Sequence, residues 1–492
     1  MKICVYFCTR NQVIYLLTSH SLIIMMIKKL LKCSLMAAFA LVSFNAAAGN
    51  VNADAAQAAA NNFLKQKFAQ QGKLMAPATA DIKLTHTEAS TVSGNAYYVF
   101  NITGGGWVII AGDDRATQVL AYSDHGYLNM NNLPSNTKGY LDRFKTQIEK
   151  VQNYKGEFVT KKTSNRTNAV VPMLKSNWGQ DYFFCAQCPK YYGSDCPVGC
   201  AGLAMAQIIN YWEYPKSSEG LPAYTNEYTY SMVPALGATT FDFDLILDQY
   251  TYLTEDGRLG LVAGVTQENK DEVAKLCRYS SQSCLMNFRS DASGSNVLKQ
   301  KNGFLKMGFD SNAKLVGIEA WPSRETWNTW DYTDEEWIAL INAQLEAGHP
   351  IPYSSEGGED GHAFVVDGVD ADGLYHCNWG FYGYADGYFA YGAFTPTILS
   401  TTLNLNSGLF MVIDLYPYEG YVSPNAPQDE ILRGDVNNDT FVTIDDVTAL
   451  INYLLTDDAT GINLEAADCN GIAGITIDDV TALINYLLTD QW

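Results

Sequence analysis

The chain has 492 residues, with 53 acidic and 32 basic side chains and a formal net charge of −21 at pH 7. A balance this acidic argues against a nucleic-acid partner and against binding to an anionic membrane surface. Hydrophobic residues make up 47% of the chain, which is typical of a well-packed globular protein rather than a disordered one. The length is sufficient for about two to four domains.

The first 48 residues have the pattern of a secretory signal peptide. A lysine-rich stretch precedes an apolar core over 35–44, and Ala46–Ala48 form a small-residue cleavage site. The apolar core is shorter than the ~20 residues that a transmembrane helix needs, which disfavours the alternative of an N-terminal membrane anchor. The sequence therefore predicts a protein that is secreted or associated with the cell surface, with no membrane span. Met25 and Met26 are alternative start sites.

Residues 49–168 are predicted to form a small α+β unit that ends in a linker. Apolar residues recur at helical spacing over 55–71, and three β-rich runs bounded by glycine turns lie between 97 and 122. The last part, 155–169, is polar, contains basic residues and lacks periodicity. These properties indicate an exposed linker that proteases can cleave.

The most informative stretch is 196–215, C-P-V-G-C-A-G-L-A-M-A-Q-I-I-N-Y-W-E-Y-P, in which Gly199 and Cys200 precede a nearly uncharged run. As a helix, this run would be buried on most sides. Cys200 would then lie in the first turn, where unpaired N–H groups and the helix dipole favour a thiolate. The position favours a cysteine nucleophile; the alternative is a small buried hydrophobic residue.

A cysteine nucleophile needs a base that accepts its proton and a third group that orients the base. Three histidines follow Cys200 in the chain. His349 lies in a helix-to-strand connection and His376 in an alternating strand, and each position has a structural explanation. His362 follows a glycine-rich loop and begins an apolar strand, a position from which a side chain can face a cleft.

Two further stretches complete a candidate site. In Asn378-Trp379-Gly380, the asparagine can accept a hydrogen bond from an imidazole N–H, and the tryptophan can shield that bond from water. Gln180, upstream of Cys200, can complete an oxyanion hole together with the backbone N–H of Cys200. The alternatives are a turn with a core aromatic residue for the first stretch and a surface residue for Gln180.

The cysteines after the signal peptide leave their redox state open. Export permits disulfides, but a catalytic Cys200 must stay reduced, which leaves an odd number of others. Cys185-x-x-Cys188 resembles zinc or redox spacing, yet no second pair follows at zinc-finger distance, so the metal signal is weak. The other cysteines are Cys196, Cys277, Cys284, Cys377 and Cys469.

Helical patterns come first, around Cys200 and over 337–345, and short aromatic-rich strands with glycine turns follow them. This order predicts an α+β architecture with two lobes. The motifs W-G-Q, V-G-C-A-G-L-A-M-A-Q-I-I-N-Y, G-H-A-F-V-V-D-G and Y-H-C-N-W-G occur in the order and spacing of the streptopain family of papain-fold cysteine peptidases. The chain resembles that family over about 50–417, including I-T-G-G-G-W-V-I-I-A-G-D-D-R, which is similar to the family's inhibitory propeptide.

The resemblance implies a papain-like, two-lobe fold and a secreted endopeptidase that is made as a zymogen and acts on proteins or peptides. It also implies that catalysis needs no cofactor and that a hydrophobic residue is preferred at the second position before the cut. The site residues that it implies are Cys200 as nucleophile, His362 as general base, Asn378 and Trp379 as groups that orient the histidine, and Gln180 as oxyanion donor.

The C-terminal region contains an internal duplication, because T-I-D-D-V-T-A-L-I-N-Y-L-L-T-D over 443–457 recurs unchanged over 476–490. Acidic and amide residues before each copy match an EF-hand-like loop, and the pair resembles a type I dockerin that binds Ca²⁺. Ile472 replaces an acidic ligand, so the second loop is expected to bind more weakly; an acidic, capped helix pair without metal is the alternative. The predicted ligands are Asp435, Asn437, Asp439, Phe441 and Asp446 in the first loop and Asp468, Asn470 and Asp479 in the second.

The predicted organisation is a signal peptide over 1–48, an inhibitory propeptide over 49–168, a peptidase domain over 169–418, a linker over 419–431 and a dockerin-like module over 432–492. Cellulosomal dockerins usually carry Ser or Thr where this module has Ile-Asp, so a cohesin-like partner and a different cell-surface partner are both alternatives. The competing functions are an inactive papain-fold surface adhesion protein and a transglutaminase-like Cys-His-Asn acyltransferase.

Overall fold

Ten antiparallel strands form one continuous sheet, to which the N-terminal unit contributes four strands and the region after Cys200 contributes six. The strands are β1 (Ile82–Ala89), β2 (Asn95–Ile102), β3 (Trp107–Ala111), β4 (Val119–Ser123), β5 (Lys314–Ile318), β6 (Ile351–Ser355), β7 (His362–Val369), β8 (Tyr375–Asn378), β9 (Gly387–Phe389) and β10 (Leu409–Ile413). The structure, a computed structural model, describes residues 49–70, 82–154, 159–160, 169–253, 259–318, 332–355, 362–392, 398–399, 408–426, 433–437, 442–472 and 474–489. The predicted signal peptide lies outside these ranges.

The order of strands across the sheet is β1-β2-β3-β4-β9-β8-β7-β6-β10-β5. The two parts of the chain meet where β4 pairs with β9, with Tyr122 opposite Tyr388 and Ala121 opposite Phe389. The hydrogen bond from the Ala390 N–H to the Leu120 carbonyl extends this pairing. The N-terminal unit is thus hydrogen-bonded into the same sheet as the strand that begins at His362.

Nine α-helices are present in the described part of the chain. In the N-terminal unit these are α1 (Ala53–Gln70) and α2 (Ser135–Asn153). The central region contains α3 (Cys200–Trp212), α4 (Gln267–Ser283), α5 (Val297–Lys306) and α6 (Asp334–Glu346), and the C-terminal region contains α7 (Ile444–Thr456), α8 (Leu464–Ala467) and α9 (Ile477–Thr489). Helices and antiparallel strands together confirm the predicted α+β class.

Helix α3 is the centre of the packing, as its nearly uncharged sequence predicts. Every residue of this helix except Cys200 and Asn210 is buried. The helix packs against β7 on one side and against α4 and α5 on the other. At Gly202 it approaches α4 so closely that an added Cβ would clash with Ser281 Oγ and lie 3.0 Å from Ser281 Cα.

The segment that follows the sheet secures the other end of α3. The Ser423 hydroxyl donates a hydrogen bond to the carbonyl of Tyr211, and the Tyr421 hydroxyl donates to the carbonyl of Trp212 at 3.0 Å. The Asn425 side-chain amide donates to the carbonyls of Asn210 and Tyr211. These bonds satisfy carbonyls that the end of a helix leaves without intrahelical donors. The beginning of the predicted 419–431 linker is therefore packed against the central region.

The remaining regular structure is short. Among the described residues there are five two-stranded pairs: Val159–Thr160 with Ile398–Leu399, Lys190–Tyr191 with Ser194–Asp195, Ser217–Ser218 with Thr239–Thr240, Tyr224–Thr225 with Met232–Val233, and Thr251–Leu253 with Leu259–Leu261. Three 3₁₀ turns cover Met130–Asn132, Tyr182–Cys185 and Phe243–Leu245. Across the described ranges, no helix is both long and apolar enough to cross a membrane.

The C-terminal helices have a hydrophobic core of their own. Helices α7 and α9 carry the two copies of the duplicated sequence, and corresponding residues of the copies are buried. The core consists of Val436, Val447, Leu450, Ala467, Cys469, Val480 and Leu483. The two copies thus share one core, as expected for a duplicated pair of amphipathic helices, whereas Ile451 and Leu455 of α7 and Ile484 and Leu488 of α9 are exposed.

We expect Gly202→Val to lower the free energy of unfolding by about 1–3 kcal/mol, because the larger side chain has no space between α3 and α4. Valine exceeds glycine in helix propensity by only a few tenths of a kcal/mol, roughly, which does not offset this overpacking. Urea unfolding followed by tryptophan fluorescence measures the change. Gly237→Val is the control, since a Cβ at Gly237 would meet no heavy atom within 4 Å. Equal unfolding midpoints for the two variants would contradict the packing argument.

Candidate active site

Cys200 is the first residue of α3, and a glycine is required immediately before it. Gly199 has a φ of +83°, and a Cβ at this position would lie 2.6 Å from Met286 Sδ and 2.9 Å from the Ser293 carbonyl oxygen. Both the left-handed backbone and the close contact exclude a side chain here. The chain can therefore turn tightly into the helix and present Cys200 at its N-terminus.

Cys200 differs from the other described cysteines in its exposure, because it is partly accessible and the other seven are buried. Burial raises the pKa of Cys185 to about 11 and the pKa values of Cys188 and Cys284 to about 12. A thiol in such surroundings is protonated at neutral pH and reacts slowly. The buried cysteines are Cys185, Cys188, Cys196, Cys277, Cys284, Cys377 and Cys469.

Gln180, the predicted oxyanion donor, lies close in space to the N-terminus of α3. The Val198 N–H donates to the Gln180 carbonyl at 2.9 Å, only two residues before Cys200. Gly179 packs flat against the Tyr382 ring, and the Tyr382 N–H donates to the Trp178 carbonyl at 2.8 Å. Backbone bonds on both sides therefore fix the segment that carries Gln180.

His362 is the first residue of β7 and is half-buried. It pairs with Ser355 of β6, and the glycine-rich loop over 356–361 that precedes it lies outside the described residues. Because β7 is the strand that packs on α3, the fold places His362 on the element adjacent to the helix of Cys200.

The side-chain amide of Asn378 is fixed by three hydrogen bonds. Its Oδ1 accepts from Gln207 Nε2 at 2.9 Å and from the Gly380 N–H at 3.1 Å, and its Nδ2 donates to the Ser176 carbonyl at 2.8 Å. A carbonyl oxygen has two lone pairs, and both are used here. In this arrangement of the precursor, Asn378 Oδ1 has no lone pair for an imidazole N–H, which differs from the direct bond that the sequence predicts.

Trp379 is almost fully buried and lies against β7. Its ring centroid is 4.4 Å from that of Phe364, two residues after His362, and its Nε1 donates to the Ala385 carbonyl at 3.0 Å. The Trp379 backbone N–H donates to Asp386 at 2.9 Å. Burial raises the pKa of Asp386 to about 7, although the bond from this N–H opposes the shift.

His376 and His349, the other two histidines that follow Cys200, are held by contacts with neighbouring side chains. The Nδ1 of His376 lies 2.7 Å from Asp367 Oδ1; burial by itself would lower the pKa of His376, but the charge of Asp367 raises it overall. His349 lies between the rings of Trp212 and Tyr416, and burial lowers its pKa. These contacts give each of the two histidines a structural role, His376 in an ion pair and His349 in aromatic packing.

The N-terminal unit covers the Trp379 side of the site. Tyr140 of α2 lies 5.6 Å from the Trp379 ring, centroid to centroid, and its hydroxyl donates to the carbonyls of Ala390 and Tyr391 at 3.1 Å. Tyr140 lies in the apolar face of a helix, as an ordinary core residue would, so no local pattern in the sequence indicates this contact.

A buried ion pair connects the same two parts of the chain. Lys67 Nζ of α1 lies 2.8 Å from Asp370 Oδ2 and 2.6 Å from Asp372 Oδ2, and the Lys67 and Asp370 side chains are each only 10% exposed. The Tyr122 hydroxyl donates to Asp370 Oδ2 at 2.8 Å, and burial followed by the Asp370 charge raises the pKa of Tyr122. Removing one partner of such a pair leaves an uncompensated buried charge.

The two C-terminal loops repeat one hydrogen-bond pattern. Asp446 accepts from the Asn437 N–H at 3.0 Å and the Thr443 N–H at 2.7 Å, and Asp479 accepts from the Asn470 and Thr476 N–H groups in the same way. This pattern caps each helix and also brings a buried carboxylate to each loop.

One buried oxygen in the described parts of these loops has the properties of a cation ligand. Asp468 Oδ1 is buried and has no hydrogen-bond partner within the described residues, as expected of a carboxylate that coordinates a metal. The predicted ligands Asp439 and Phe441 lie outside the described residues, and Ile472 is exposed and has no ligand oxygen. In the parts of the loops that are described, no three acidic, histidine or cysteine side chains converge on one point.

Three family models match separate parts of the chain. The Spi protease inhibitor family matches residues 48–148, the Peptidase C10 family matches 178–389, and the Dockerin type I domain matches 433–488. The first two matches contain the two parts that share the ten-stranded sheet, and the third contains the duplicated helix pair.

Similar proteins support the same assignment. Streptopain from Streptococcus pyogenes is 28% identical over 352 residues, which are 67% of this chain and 82% of that protein. The thiol protease/hemagglutinin PrtT from Porphyromonas gingivalis is 24% identical over 371 residues, 72% of this chain but 40% of that protein. A solved fragment of prointerpain A from Prevotella intermedia matches in fold, with a TM-score of 0.53 and 23% identity over 68% of this chain and 99% of the fragment.

The fold match confirms the predicted papain-like architecture, and the family matches confirm the resemblance drawn from the motifs. The chain therefore contains a cysteine peptidase domain of the C10 family, preceded by a Spi protease inhibitor domain and followed by a type I dockerin domain.

Proposed function

We propose that the protein is a secreted endopeptidase, made as a zymogen, in which Cys200 is the nucleophile and His362 the general base. The observation that carries the proposal is the exposure of Cys200 at the start of a buried helix, while the other seven described cysteines are buried. The N-terminus of α3 favours the thiolate, and β7 brings His362 to the adjacent element.

In the proposed reaction His362 accepts the thiol proton of Cys200, and the sulfur attacks the carbonyl carbon of the scissile peptide bond. The oxyanion that forms accepts hydrogen bonds from the Cys200 N–H and the Gln180 side-chain amide. His362 returns the proton to the leaving amine as the C–N bond breaks. Water, deprotonated by His362, then attacks the thioester and releases the acid and the thiol.

We assign the orientation of His362 to Trp379 and Asn378. Trp379 packs on Phe364 of the histidine strand, and Asn378 pairs with Val365 of the same strand. Because its amide oxygen is committed to Gln207 and Gly380, Asn378 contributes by holding the turn that carries Trp379.

Latency follows from the position of the inhibitor domain. Pairing of β4 with β9, the Tyr140 contact with Trp379 and the Lys67 ion pair hold this domain against the peptidase domain. The strand Val159–Thr160, which follows the inhibitor domain, pairs with Ile398–Leu399 of the peptidase part. We propose that cleavage of the linker between about 161 and 171, followed by departure of the inhibitor domain, produces the active form.

The dockerin domain is proposed to bind Ca²⁺ and to attach the secreted enzyme to a partner. Asp435, Asn437 and Asp446 would hold the ion in the first loop, and Asp468 and Asp479 would do so in the second, where Asn470 assists. A bound cation supplies the positive charge that the buried carboxylates of these loops require. A cohesin-like protein or another cell-surface protein is the proposed partner, and proteins or peptides are the proposed substrates.

We expect Cys200→Ala to abolish cleavage of casein and to leave the fold intact, because the substitution removes the attacking sulfur. The variant should accumulate as an uncleaved precursor, whereas the wild type matures. Cys469→Ala, in the core of the dockerin domain, is the control and should keep proteolytic activity. Casein cleavage by the Cys200→Ala protein would show that the nucleophile lies elsewhere.

The 50–160 fragment, added in trans, is expected to inhibit the mature enzyme. Lys67→Met in this fragment should weaken the inhibition by about 30-fold or more, because loss of one partner of a buried ion pair costs about 2–5 kcal/mol of binding free energy. Inhibition constants against a fluorogenic peptide measure the effect. Lys65→Met is the matched control on an exposed face of the same helix. Full activity of an unprocessed precursor with an uncleavable linker would show that the domain does not cause latency.

Calorimetry on residues 432–492 is expected to show binding of Ca²⁺, with the first loop tighter than the second because Ile472 offers no side-chain oxygen. Asp435→Ala should therefore reduce affinity more than Asp468→Ala. Proteolysis by the peptidase domain should not depend on the metal. An isolated module that gives no heat with Ca²⁺ would rule out the metal role of both loops.

A further inference from the structure

A polar network lies inside the peptidase domain behind the proposed catalytic residues. Gln207 of α3 is buried, and its Nε2 donates to Asn378 Oδ1 at 2.9 Å and to Ser176 at two atoms, the carbonyl at 3.2 Å and Oγ at 3.1 Å. In an otherwise apolar helix, this is the one buried side chain with an amide. Gln207 takes no part in the proton transfers or bond changes of the proposed reaction.

The orientation of both amides in this network is determined by unambiguous partners. The Gly380 N–H can only donate, so the Asn378 atom that it contacts is the oxygen. The Ser176 carbonyl can only accept, so the Asn378 and Gln207 atoms that it contacts are nitrogens. Gln207 therefore donates to Asn378, and exchange of nitrogen and oxygen in either amide would set like groups against each other.

The network spans the two elements that carry the reaction. Gln207 is seven residues after Cys200, two helical turns along the same face of α3. Asn378 is the last residue of β8 and pairs with Val365 on the strand that begins at His362. A bond from Gln207 to Asn378 thus connects the helix of the nucleophile to the sheet that carries the base.

The turn after Asn378 depends on the same bond. Gly380 has a φ of +72°, and a Cβ there would lie 2.7 Å from Leu203 Cδ2 of α3, so the turn approaches the helix closely. The turn has no room to shift toward the helix, and the Gln207 hydrogen bond opposes movement away from it. Trp379, between Asn378 and Gly380, is held in place by this pair of constraints.

We propose that Gln207 is a positioning residue for the peptidase reaction. By donating to Asn378 it fixes the Asn-Trp-Gly turn against α3, and through Phe364 and Val365 it sets the distance of His362 from Cys200. The proposal rests on Cys200 and His362 being the catalytic pair. Gln207 itself touches neither substrate nor reacting atoms.

The test compares Gln207→Met, which keeps the length of the side chain but removes the donor, with wild type and with Gln282→Met. Gln282 is an equally buried glutamine whose Nε2 donates to the carbonyls of Pro222 and Pro234, outside this network. Each full-length chain is matured by a tagged wild-type enzyme that is then removed. The measurements are kcat, KM and the rate of Cys200 alkylation across pH.

For Gln207→Met we expect kcat to fall by about 10- to 100-fold, the effect of a small misplacement of catalytic groups, with KM within about 2-fold of wild type. Gln282→Met should change kcat by less than about 2-fold. Asn378→Ala should lower kcat too, and the double variant should lose no more than the worse single variant, because both residues act through one bond.

Gln207→Glu adds a second measurement, the pH dependence of kcat, which would not change if Gln207 had only a structural role. A protonated carboxyl can donate to Asn378 Oδ1 and an ionised one cannot, so kcat relative to Gln207→Met should be recovered at low pH and lost as pH rises. This variant also decides the question if Gln207→Met does not fold. The proposal would be overturned if kcat of Gln207→Met were unchanged, or if Gln207→Met and Gln282→Met lost kcat equally. It would also be overturned if the losses of kcat in Gln207→Met and Asn378→Ala were additive, or if the pH profile of kcat for Gln207→Glu were parallel to that of wild type. Activity in Cys200→Ala, by contrast, would refute the catalytic assignment itself.

Discussion

The burial of helix α3 is the constraint on which the peptidase domain depends. With protein on nearly every side, the helix can approach α4 only because Gly202 has no side chain, and it can approach the turn after β8 only because Gly380 has none. The same enclosure means that Gln207 must find its hydrogen-bond partners inside the protein, since a buried amide without them is destabilising. Cys200 remains partly exposed because it is the first residue of the helix, after a turn at Gly199, whose φ is positive.

The inhibitor domain uses a different kind of contact, one that joins backbones as well as side chains. Its sheet continues into the peptidase sheet, so separation of the two domains must break hydrogen bonds between β4 and β9 and expose the aromatic surface around Trp379. The Lys67 ion pair adds a charged contact to this interface. Such a combination suits an association that is strong while the linker holds the domains together and reversible once it is cut, because tethering raises the effective concentration of the partner.

Local features of the sequence predicted local features of the structure. The beginning of α3 at Cys200, the strand start at His362 and the repeat of helices α7 and α9 follow from periodicity, glycine turns and duplication, and the structure has all of them. Contacts between distant residues were not predicted. Each of these contacts joins segments that are far apart in the chain: Gln207 with Asn378, Lys67 with Asp370, and β4 with β9. No local sequence pattern shows which residues meet. The hydrogen bonding of Asn378 also differs from the predicted bond with an imidazole N–H. Its side-chain oxygen can accept such a bond, but in the structure it accepts from Gln207 and Gly380 instead.

The proposed maturation would change strand β9 from an interior strand to an edge strand of the sheet. In the precursor it is an interior strand, paired with β8 on one side and β4 on the other. In the proposed mature form, without the inhibitor domain, β9 would be the outer edge of the sheet, and an unpaired edge is a template on which another extended chain can assemble. Its three residues allow only a short ladder of hydrogen bonds, which limits the attraction for unrelated strands. The proposed maturation would therefore exchange a protected sheet for an exposed edge, and the shortness of β9 limits the number of hydrogen bonds that another chain could form there.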